Sequence, residues 1–192
     1  RKGLLSSLSL EGLTLKNHIR GIKHLTRKNL LAQLIMEKCS RQGVNPISII
    51  PKTYIIREET FQFDINYMIE EKLKSLKGFA VPLIIKPGEN SNRGNGIQIA
   101  FNEEEARNYA SEIFRNKKNV EVLVAQDYLT NPLLFKGRKF DIRCYALVLK
   151  LFDRISFFWY SQGYARTSSY LYDMKNKENL KVHLTNEAVQ VK

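Results

Sequence analysis

The sequence has few of the residues that build disulfide-linked or zinc-dependent proteins. Its 192 residues include two cysteines, Cys39 and Cys144, and three histidines, His18, His24 and His183. Neither cysteine has a partner at metal-ligand spacing, two cysteines do not form a disulfide framework, and the histidines do not cluster. A zinc site or a Ser-His-Asp triad is therefore not expected, and we expect both thiols to be buried in a reducing compartment.

Long apolar runs are missing as well. No run approaches the length of a membrane span, and no signal-peptide pattern opens the chain. We therefore expect a cytosolic protein without a membrane partner. The first residue is Arg1 rather than methionine, and Lys192 follows an apolar run, so we also expect the chain to be part of a longer protein.

Acidic residues are scarce relative to basic ones. The chain has 19 Asp and Glu residues against 31 Lys and Arg residues, which gives a net charge of +12. The excess is largest in residues 1–52, where ten basic residues accompany only Glu11 and Glu37. Such a surface attracts polyanions, which include nucleic acid, an anionic membrane and an acidic peptide.

Hydrophobic periodicity predicts a globular chain of mixed helices and strands. Asn102 and Glu105 form a capping box at the start of one helix, whose apolar stripe we expect to be core: Ala106, Tyr109, Ala110, Ile113 and Phe114. Aromatic residues fill the last predicted strand, and we expect them mostly to pack: Phe157, Phe158, Trp159 and Tyr160. The expected helices are 26–38, 64–77 and 102–116, and the expected strands are 51–56, 83–85, 97–101, 120–125, 141–151 and 155–160.

A glycine-rich loop joins two of these strands. The apolar run 83–85 ends in Lys86-Pro87, and the polar loop 88–96 leads into the next strand. The loop can fold over phosphates with its backbone N–H groups, and Lys86 can reach the same phosphates. The loop is neither a Walker loop nor a dinucleotide fingerprint, because no helix follows the glycines directly. The alternative interpretation is a surface hairpin.

The chemistry-bearing residues are concentrated in residues 131–143. After a turn at Gly137, Lys139, Asp141 and Arg143 are spaced by two, so on a strand they share one face. Two cations around one carboxylate suit a phosphate or a metal-bound phosphate. A salt-bridged strand on a solvated face is the alternative. We expect the opposite face to point into the core: Phe140, Ile142 and Cys144.

Six short stretches occur one after another along the chain. Each stretch alone is a weak indication of a protein family, but the six in this order are a specific one. They are Lys86-Pro87 with Arg93-Gly94-x-Gly96-Ile97, Gln126-x-Tyr128-Leu129, Asn131-Pro132-Leu133-Leu134, Gly137-Arg138-Lys139-Phe140-Asp141-Ile142-Arg143, Gly163-Tyr164-x-Arg166 and His183-Leu184-Thr185-Asn186. From about Lys28 to the C-terminus, the chain resembles the tubulin–tyrosine ligase-like family, which has the ATP-grasp fold.

The resemblance implies an α+β protein with antiparallel or mixed sheets and flanking helices, whose C-terminal part is missing here. Residues 1–80 would form a basic N-terminal lobe. Residues 81–125 would form the central ATP-grasp lobe with the Gly-rich phosphate loop, and residues 126–192 the start of a truncated C-terminal lobe.

The resemblance also implies an activity. The family couples ATP cleavage to peptide or isopeptide bond formation on tubulin tails: a carboxylate is phosphorylated, and an amino acid's amine attacks the acyl phosphate. The implied cofactors are ATP and Mg²⁺. The implied partners are tubulin or microtubules, through their acidic tails, and a free amino acid, which is glutamate, glycine or tyrosine. The implied location is the cytoplasm and cytoskeleton, including the ciliary axoneme or basal body.

Site residues are carried over by motif. Lys86 and Lys139 would contact ATP phosphates, with Lys28 at the position of a further lysine. Arg166 would hold the carboxylate of the incoming amino acid, for which a planar guanidinium is well shaped. Arg143 would face the acceptor or the γ-phosphate. The remaining assignments are the loop residues Arg93, Gly94, Gly96 and Ile97, the hinge residues Gln126, Asp127, Tyr128 and Leu129 against the adenine edge, and Asp141, Thr185 and Asn186 in the nucleotide pocket.

Two departures from the family and two alternatives remain. The tryptophan often found before Lys-Pro is missing. The family's later Asp and Glu-x-Asn magnesium ligands also have no counterpart, so the sequence offers no metal ligand. Catalysis is therefore expected only if the full chain supplies these ligands. One alternative is a ligase-like domain that serves a structural role on microtubules without turnover. The other is a nucleic-acid binder, which would explain the charge but not the ordered motifs, and we expect no nucleic-acid partner.

Overall fold

The computed structural model describes residues 7–10, 13–16, 19–89, 91, 94–116 and 119–191, with residues 7–10 and 13–16 described by their backbone alone. The described residues form antiparallel sheets with helices packed beside them, so the α+β prediction is confirmed. None of the described helices is long and apolar enough to cross a membrane.

The helices begin and end close to their expected positions. The second helix starts at Lys28 rather than being capped by Thr26, which instead ends the short helix before it. The third helix starts at Phe61, before Asp64, and the Asp64 carboxylate accepts hydrogen bonds from the Arg57 N–H at 2.9 Å and the Thr60 hydroxyl at 2.7 Å. The helices are α1 Lys23–Thr26, α2 Lys28–Arg41, α3 Phe61–Lys74, α4 Glu103–Asn116, α5 Leu180–His183 and α6 Glu187–Gln190, with 3₁₀ turns at Pro46–Ser48 and Gly78–Ala80.

The strands are β1 Ser7–Leu10, β2 Leu13–Lys16, β3 Thr53–Arg57, β4 Leu83–Pro87, β5 Gln98–Ala100, β6 Val122–Asp127, β7 Leu134–Phe135, β8 Arg138–Arg143, β9 Ala146–Leu151, β10 Arg154–Trp159 and β11 Tyr164–Thr167. The largest described sheet is antiparallel and has the order β3-β6-β4-β5. The predicted hairpin around the glycine-rich loop is confirmed as β4 paired with β5.

The core lies between this sheet and helices α3 and α4. Burial alternates along β3 and β4, as expected for strands with one face against a core. Each fully buried aliphatic side chain contributes about 1.5–3 kcal/mol to the free energy of folding. This layer is therefore the main source of stability. Its fully buried side chains include Ile56, Ile65, Met68, Leu83, Ile85 and Leu123. β3 precedes residue 80, yet it belongs to the same sheet as strands that follow residue 80. The division into lobes at residues 80 and 125 stays a prediction.

The capping box of α4 is confirmed. Asn102 Oδ1 accepts the Glu105 N–H at 2.8 Å, and Glu105 Oε2 accepts the Phe101 N–H at 2.7 Å. The bond to Asn102 satisfies one of the N–H groups that a helix start leaves without intrahelical partners, and the bond to Glu105 satisfies the N–H of the residue before the cap. The predicted apolar stripe is also confirmed as core, with Ala106, Ala110 and Ile113 buried and Tyr109 and Phe114 packed against the cluster.

We expect Asn102→Ala to lower the free energy of unfolding by about 1 kcal/mol, which is the usual effect of removing an N-cap side chain. Chemical denaturation measures the change. Asn116→Ala is the matched control, since Asn116 is the exposed last residue of the same helix. Equal destabilisation by both substitutions would show that the cap contributes nothing.

The strand expected over residues 141–151 is two strands. β8 pairs with β7 and β11, whereas β9 pairs with β10 in a separate hairpin. The chain leaves one sheet and enters the other at Cys144 and Tyr145, so a single strand cannot continue through them. The pairing of β9 with β10 agrees with the predicted hairpin.

Three burial predictions for this region are wrong. Ile142 is 62% exposed and Cys144 is exposed, so they do not point into a core, although Cys39 is buried as expected. The aromatics of β10 are exposed as well, Phe157 by 73% and Trp159 by 69%, and both Phe158 and Tyr160, which follows the strand, are more than half exposed. The hairpin β9–β10 forms a two-stranded sheet of its own, and the described residues leave both of its faces open.

Candidate functional site

Lys86 lies near the end of β4, with its amine turned toward the neighbouring strand. Its Nζ donates a hydrogen bond to Gln126 Oε1 at 2.5 Å. The Gln126 amide is held in that orientation because its Nε2 donates to Thr53 Oγ1 at 2.8 Å. Burial lowers the pKa of Lys86 to about 8, and the positive charge of Lys28 adds to the shift. Within the described residues, Lys86 forms no ion pair with a carboxylate.

Lys28 reaches this region from the first turn of α2. Its Nζ donates to the Ser91 carbonyl at 3.0 Å, and its backbone N–H donates to the Gly88 carbonyl at 2.8 Å. The helix start is therefore attached to the beginning of the glycine-rich loop. Burial lowers the pKa of Lys28 as well. Two neighbouring amines with lowered pKa values are typical of a site at which a bound anion supplies the missing negative charge.

Lys139 approaches from β8. Its Nζ donates to the Tyr128 hydroxyl at 2.7 Å and lies 4.2 Å from the centroid of the same ring. Burial lowers the pKa of Lys139 to about 8. Gln126 and Tyr128 are two residues apart, so Lys86 and Lys139 each bond to a side chain at or just after the C-terminal end of β6. Their joint contact with phosphate stays a prediction.

Asp141 is the centre of a second cluster. Its Oδ1 accepts a hydrogen bond from Arg166 Nε at 2.8 Å, and its Oδ2 accepts from Arg166 Nη2 at 2.5 Å and from Thr185 Oγ1 at 2.8 Å. Register explains the ion pair, since Arg166 on β11 lies directly opposite Asp141 on β8. Burial raises the pKa of Asp141, but the hydrogen bonds from Arg166 and Thr185 together hold it below its usual range.

A cavity of about 610 Å³ lies beside this cluster. Arg143 and Arg166 give it two guanidinium groups, and Glu187 gives it one carboxylate. Arg166 is already bonded to Asp141. The Arg143 side chain is exposed and, among the described residues, has no hydrogen-bond or ion-pair partner. Arg143 is therefore the more accessible group for a carboxylate that enters this cavity.

The glycine-rich loop reaches the same C-terminal segment. Gly94 and Gly96 have positive φ values of 77° and 73°, which only glycine adopts readily. A Cβ on Gly94 would lie 2.6 Å from Val189 Cγ2 and 3.6 Å from Asn186 Cβ. The loop thus contacts Asn186, and the Ile97 N–H bonds to the Gly94 carbonyl at 3.4 Å. Arg93 lies outside the described residues.

We expect Gly94→Ala to lower ATP affinity roughly tenfold. A closely packed contact has no room for an added methyl group, so the methyl group would push the loop away from α6. Gly43→Ala is the matched control: Gly43 also has a positive φ, but a Cβ there would meet nothing within 4 Å. Both substitutions should cost about 1–2 kcal/mol of stability from the backbone alone. Isothermal titration should show the affinity loss only for Gly94→Ala, and adding Val189→Ala to that variant should restore the affinity. Equal ATP affinity in the Gly94→Ala and Gly43→Ala variants would contradict the contact between Gly94 and Val189.

The predicted hinge has two of its backbone donors engaged inside the protein. The Asp127 N–H bonds to the Lys52 carbonyl at 2.9 Å, and the Tyr128 N–H bonds to the Pro82 carbonyl at 2.8 Å. The Asp127 carboxylate forms an ion pair with the buried amine of Lys72. The Leu129 side chain is largely exposed, and Asp127, Tyr128 and Leu129 line a cavity of about 560 Å³. The predicted contact of Gln126, Asp127, Tyr128 and Leu129 with an adenine edge stays a prediction.

Two buried groups were not assigned from the sequence. Lys72 is 3% exposed and pairs with Asp127, which is 55 residues away. His183 is 1% exposed and bonds to the Tyr128 hydroxyl at 3.1 Å. In the sequence, His183 lies in the same matched motif as Thr185 and Asn186, and this is the one signal that could have drawn attention to it.

Comparison with known proteins agrees with these motifs. A model of the tubulin-tyrosine ligase family matches residues 7–192. The chain is 32% identical to tubulin polyglutamylase TTLL7 of Mus musculus, with 90% of this chain and 17% of that protein aligned. It is 31% identical to tubulin polyglutamylase TTLL5 of Homo sapiens, with 92% and 12% aligned, and 30% identical to probable tubulin polyglutamylase TTLL2 of Homo sapiens, with 90% and 27% aligned.

The chain belongs to the tubulin-tyrosine ligase family, as the six ordered stretches predicted. It spans well under a third of the length of the three relatives described above. Among solved structures, it is similar to the C-terminal domain of K. lactis Pby1, described as an ATP-grasp enzyme that interacts with the mRNA decapping enzyme Dcp2. That similarity has a TM-score of 0.43 at 20% identity and covers 87% of this chain and 45% of the other.

Proposed function

We propose that this chain is the nucleotide-binding part of an ATP-dependent ligase of ATP-grasp type that adds an amino acid to tubulin tails. The observation that carries the proposal is that Lys86 and Lys139 each place an amine against a side chain at or just after the C-terminal end of β6. Both lysines are partly buried, both have a pKa lowered to about 8, and neither pairs with a carboxylate among the described residues. A bound phosphate would supply the missing negative charge.

The residues of the site fit a nucleotide in several respects. Lys86 and Lys139 would hold phosphate oxygens, and the loop with Gly94 and Gly96 would cover them with backbone N–H groups. Asp141, fixed by Arg166 and Thr185, would accept hydrogen bonds from the nucleotide's hydroxyl groups. ATP, when bound, would supply the phosphoryl group that activates the acceptor carboxylate as an acyl phosphate.

Mg²⁺ is the second proposed cofactor, but the described residues contain no group of three or more His, Cys, Asp or Glu side chains that could hold it. None of the described residues is therefore proposed as a ligand of the metal. What the described lysines can do alone is neutralise part of the phosphate charge.

The cavity beside Asp141 would receive the free amino acid. Arg143 is its accessible guanidinium and would take a carboxylate, while Arg166 contributes through Asp141. Of the three amino acids implied by the resemblance, glutamate is favoured because the relatives' names describe polyglutamylases. The acceptor would be a carboxylate on an acidic tubulin tail, which suits the net charge of +12.

The proposal is tested with the full-length protein. Labelled glutamate, glycine and tyrosine are each incubated with tubulin, MgCl₂ and the protein, with and without ATP. We expect ATP-dependent incorporation of glutamate, accompanied by ADP formation. ATP binding without incorporation of any of the three amino acids would overturn the ligase assignment and favour the structural alternative.

The second candidate is a structural role on microtubules, and the exposed hairpin β9–β10 favours it as an apolar surface. In either case we propose the cytoplasm and cytoskeleton, including cilia, as the location. If acidic tails are the contact, microtubule binding should weaken steeply above physiological salt, where the Debye length is about 8 Å. A cosedimentation series in increasing NaCl measures this, and salt-insensitive binding would point to apolar docking.

A further inference from the structure

A chain of hydrogen bonds connects Lys139 to the buried His183. Lys139 Nζ donates to the Tyr128 hydroxyl at 2.7 Å, and that hydroxyl lies 3.1 Å from His183 Nδ1. His183 Nε2 lies 2.8 Å from the Asn176 carbonyl oxygen. The four residues come from different parts of the chain: the hinge, β8, the loop after β11 and α5.

The direction of each bond follows from its partners. A carbonyl oxygen only accepts, so His183 Nε2 must carry the hydrogen and donate to Asn176. In the neutral ring Nδ1 is then an acceptor, which requires the Tyr128 hydroxyl to donate to it. Burial lowers the pKa of His183 and favours this neutral ring. The Tyr128 oxygen therefore presents a lone pair to Lys139.

Packing holds the histidine in this orientation. His183 is 1% exposed, and its ring meets the rings of Tyr128 and Tyr172 edge-on, with centroids 5.7 Å and 6.0 Å away. The Tyr172 hydroxyl in turn donates to the Thr130 carbonyl at 3.0 Å. A ring enclosed on these sides and bonded at both nitrogens has one orientation, so it can orient a neighbour reproducibly.

We propose that His183 is a positioning residue for the nucleotide site, acting through Tyr128 to hold the amine of Lys139 where a phosphate binds. The Tyr128 hydroxyl takes one N–H of Lys139 and leaves two for the ligand. His183 itself does not contact the ligand. The inference rests on the proposed function, since it assigns a role within the ATP site.

Two substitutions of His183 separate positioning from packing. In His183→Asn the side-chain oxygen can occupy the place of Nδ1 and still accept from Tyr128. In His183→Gln the side-chain nitrogen can occupy the place of Nε2 and still donate to Asn176, but the acceptor for Tyr128 is lost. Both variants lose the ring, so both should lower the melting temperature to a similar extent.

The experiment measures ATP affinity by isothermal titration in MgCl₂ and melting temperature without ATP, using the full-length protein. We expect His183→Gln to weaken ATP binding roughly tenfold, the effect of losing about one hydrogen bond, and His183→Asn to stay within roughly threefold of the unsubstituted protein. In a Tyr128→Phe background, His183→Gln should cause no further loss of affinity, because the connection is already broken.

Equal affinities for the Asn and Gln variants, or a further loss in the Tyr128→Phe background, would overturn the positioning role. A second measurement does not depend on ATP: long-range ¹⁵N–¹H NMR spectra should show the Nε2–H tautomer of His183 in the free protein. An Nδ1–H tautomer would refute the inference even if ATP binds. Failure of the unsubstituted protein to bind ATP, with the Nε2–H tautomer present, would instead refute the proposed function, and with it the role in the ATP site.

Discussion

Replacement of Lys86 by methionine is expected to abolish measurable ATP binding and at the same time to stabilise the folded protein. Methionine keeps the length and the unbranched chain of lysine but has no charge. The amine would donate charge-assisted hydrogen bonds to phosphate, each worth about 1.5–3 kcal/mol. Loss of two such bonds lowers affinity by roughly a hundredfold or more. Isothermal titration with ATP measures this effect.

The gain in stability follows from the pKa of Lys86, which is lowered from 10.5 to about 8, chiefly by burial. Folding disfavours the charged form, so the ammonium destabilises the folded state by up to about 3 kcal/mol at pH 7. The penalty is complete below pH 8 and disappears as the pH rises from 8 to 10.5, where the unfolded chain also loses its proton. Lys86→Met should therefore unfold at higher denaturant concentration at pH 7, with the difference vanishing in alkali.

Lys38 provides the control for this prediction. It is an exposed lysine on α2, so Lys38→Met should change neither ATP affinity nor stability appreciably. A Lys86→Met variant that binds ATP normally would remove Lys86 from the phosphate site. A variant that loses both ATP binding and stability would show instead that the bond to Gln126 is structural.

Substitution of Arg166 by lysine is expected to weaken ATP binding and to raise the KM for the amino acid together. The guanidinium holds both oxygens of Asp141, and a lysine would keep the charge but could not make the same two-point contact. Asp141 would then be free to turn away from the nucleotide. Because both groups are partly exposed, we expect about 1 kcal/mol of lost stability and a roughly tenfold change in each ligand parameter.

Arg143→Lys is the comparison for Arg166→Lys. It lies in the same cavity but does not touch Asp141, so it should raise the KM for the amino acid and leave ATP affinity near that of the unsubstituted protein. Titration with ATP and initial rates at varied amino-acid concentration distinguish the two variants. If Arg166→Lys changed only the amino-acid KM, Arg166 would be the carboxylate clamp that the family resemblance implies.

Local patterns predicted the parts of the fold that depend on neighbouring residues. The capping box of Asn102 and Glu105 and the stripe of α4 involve contacts three or four residues apart, so the sequence contains nearly all the information that specifies them. The hairpin around the glycine-rich loop is similarly local. The assignment of Lys86 and Lys139 to phosphate rests on the motifs in which they lie, and it stays a prediction.

Contacts between distant strands were not predictable in this way. The sequence did not indicate Asp141 as a partner of Arg166, but the register of β8 and β11 places the two residues opposite each other. Register depends on which strands meet, and a shift of one residue would have turned Arg166 to the other face. The same applies to Lys72, whose partner Asp127 is brought close only by the folded sheet.

Burial of the aromatic strand was mispredicted for a related reason. Apolar residues on both faces of β10 are typical of a strand covered on two sides, but coverage depends on elements elsewhere in the fold. In the described part of the chain, β9 is the one strand that pairs with β10. Apolar composition thus indicated which residues can be buried, and not which ones are.

The position of Trp159 determines what optical spectroscopy can detect in this chain. It is the single tryptophan of the sequence, and it lies on the open hairpin rather than in the core. Its indole emission should already resemble that of a water-exposed ring in the folded chain, so melting of the core sheet will change the fluorescence little. Anything that covers the hairpin should instead shift the emission to shorter wavelength. The intrinsic fluorophore is therefore a natural reporter of contacts made by β9–β10, and folding must be followed by far-ultraviolet circular dichroism.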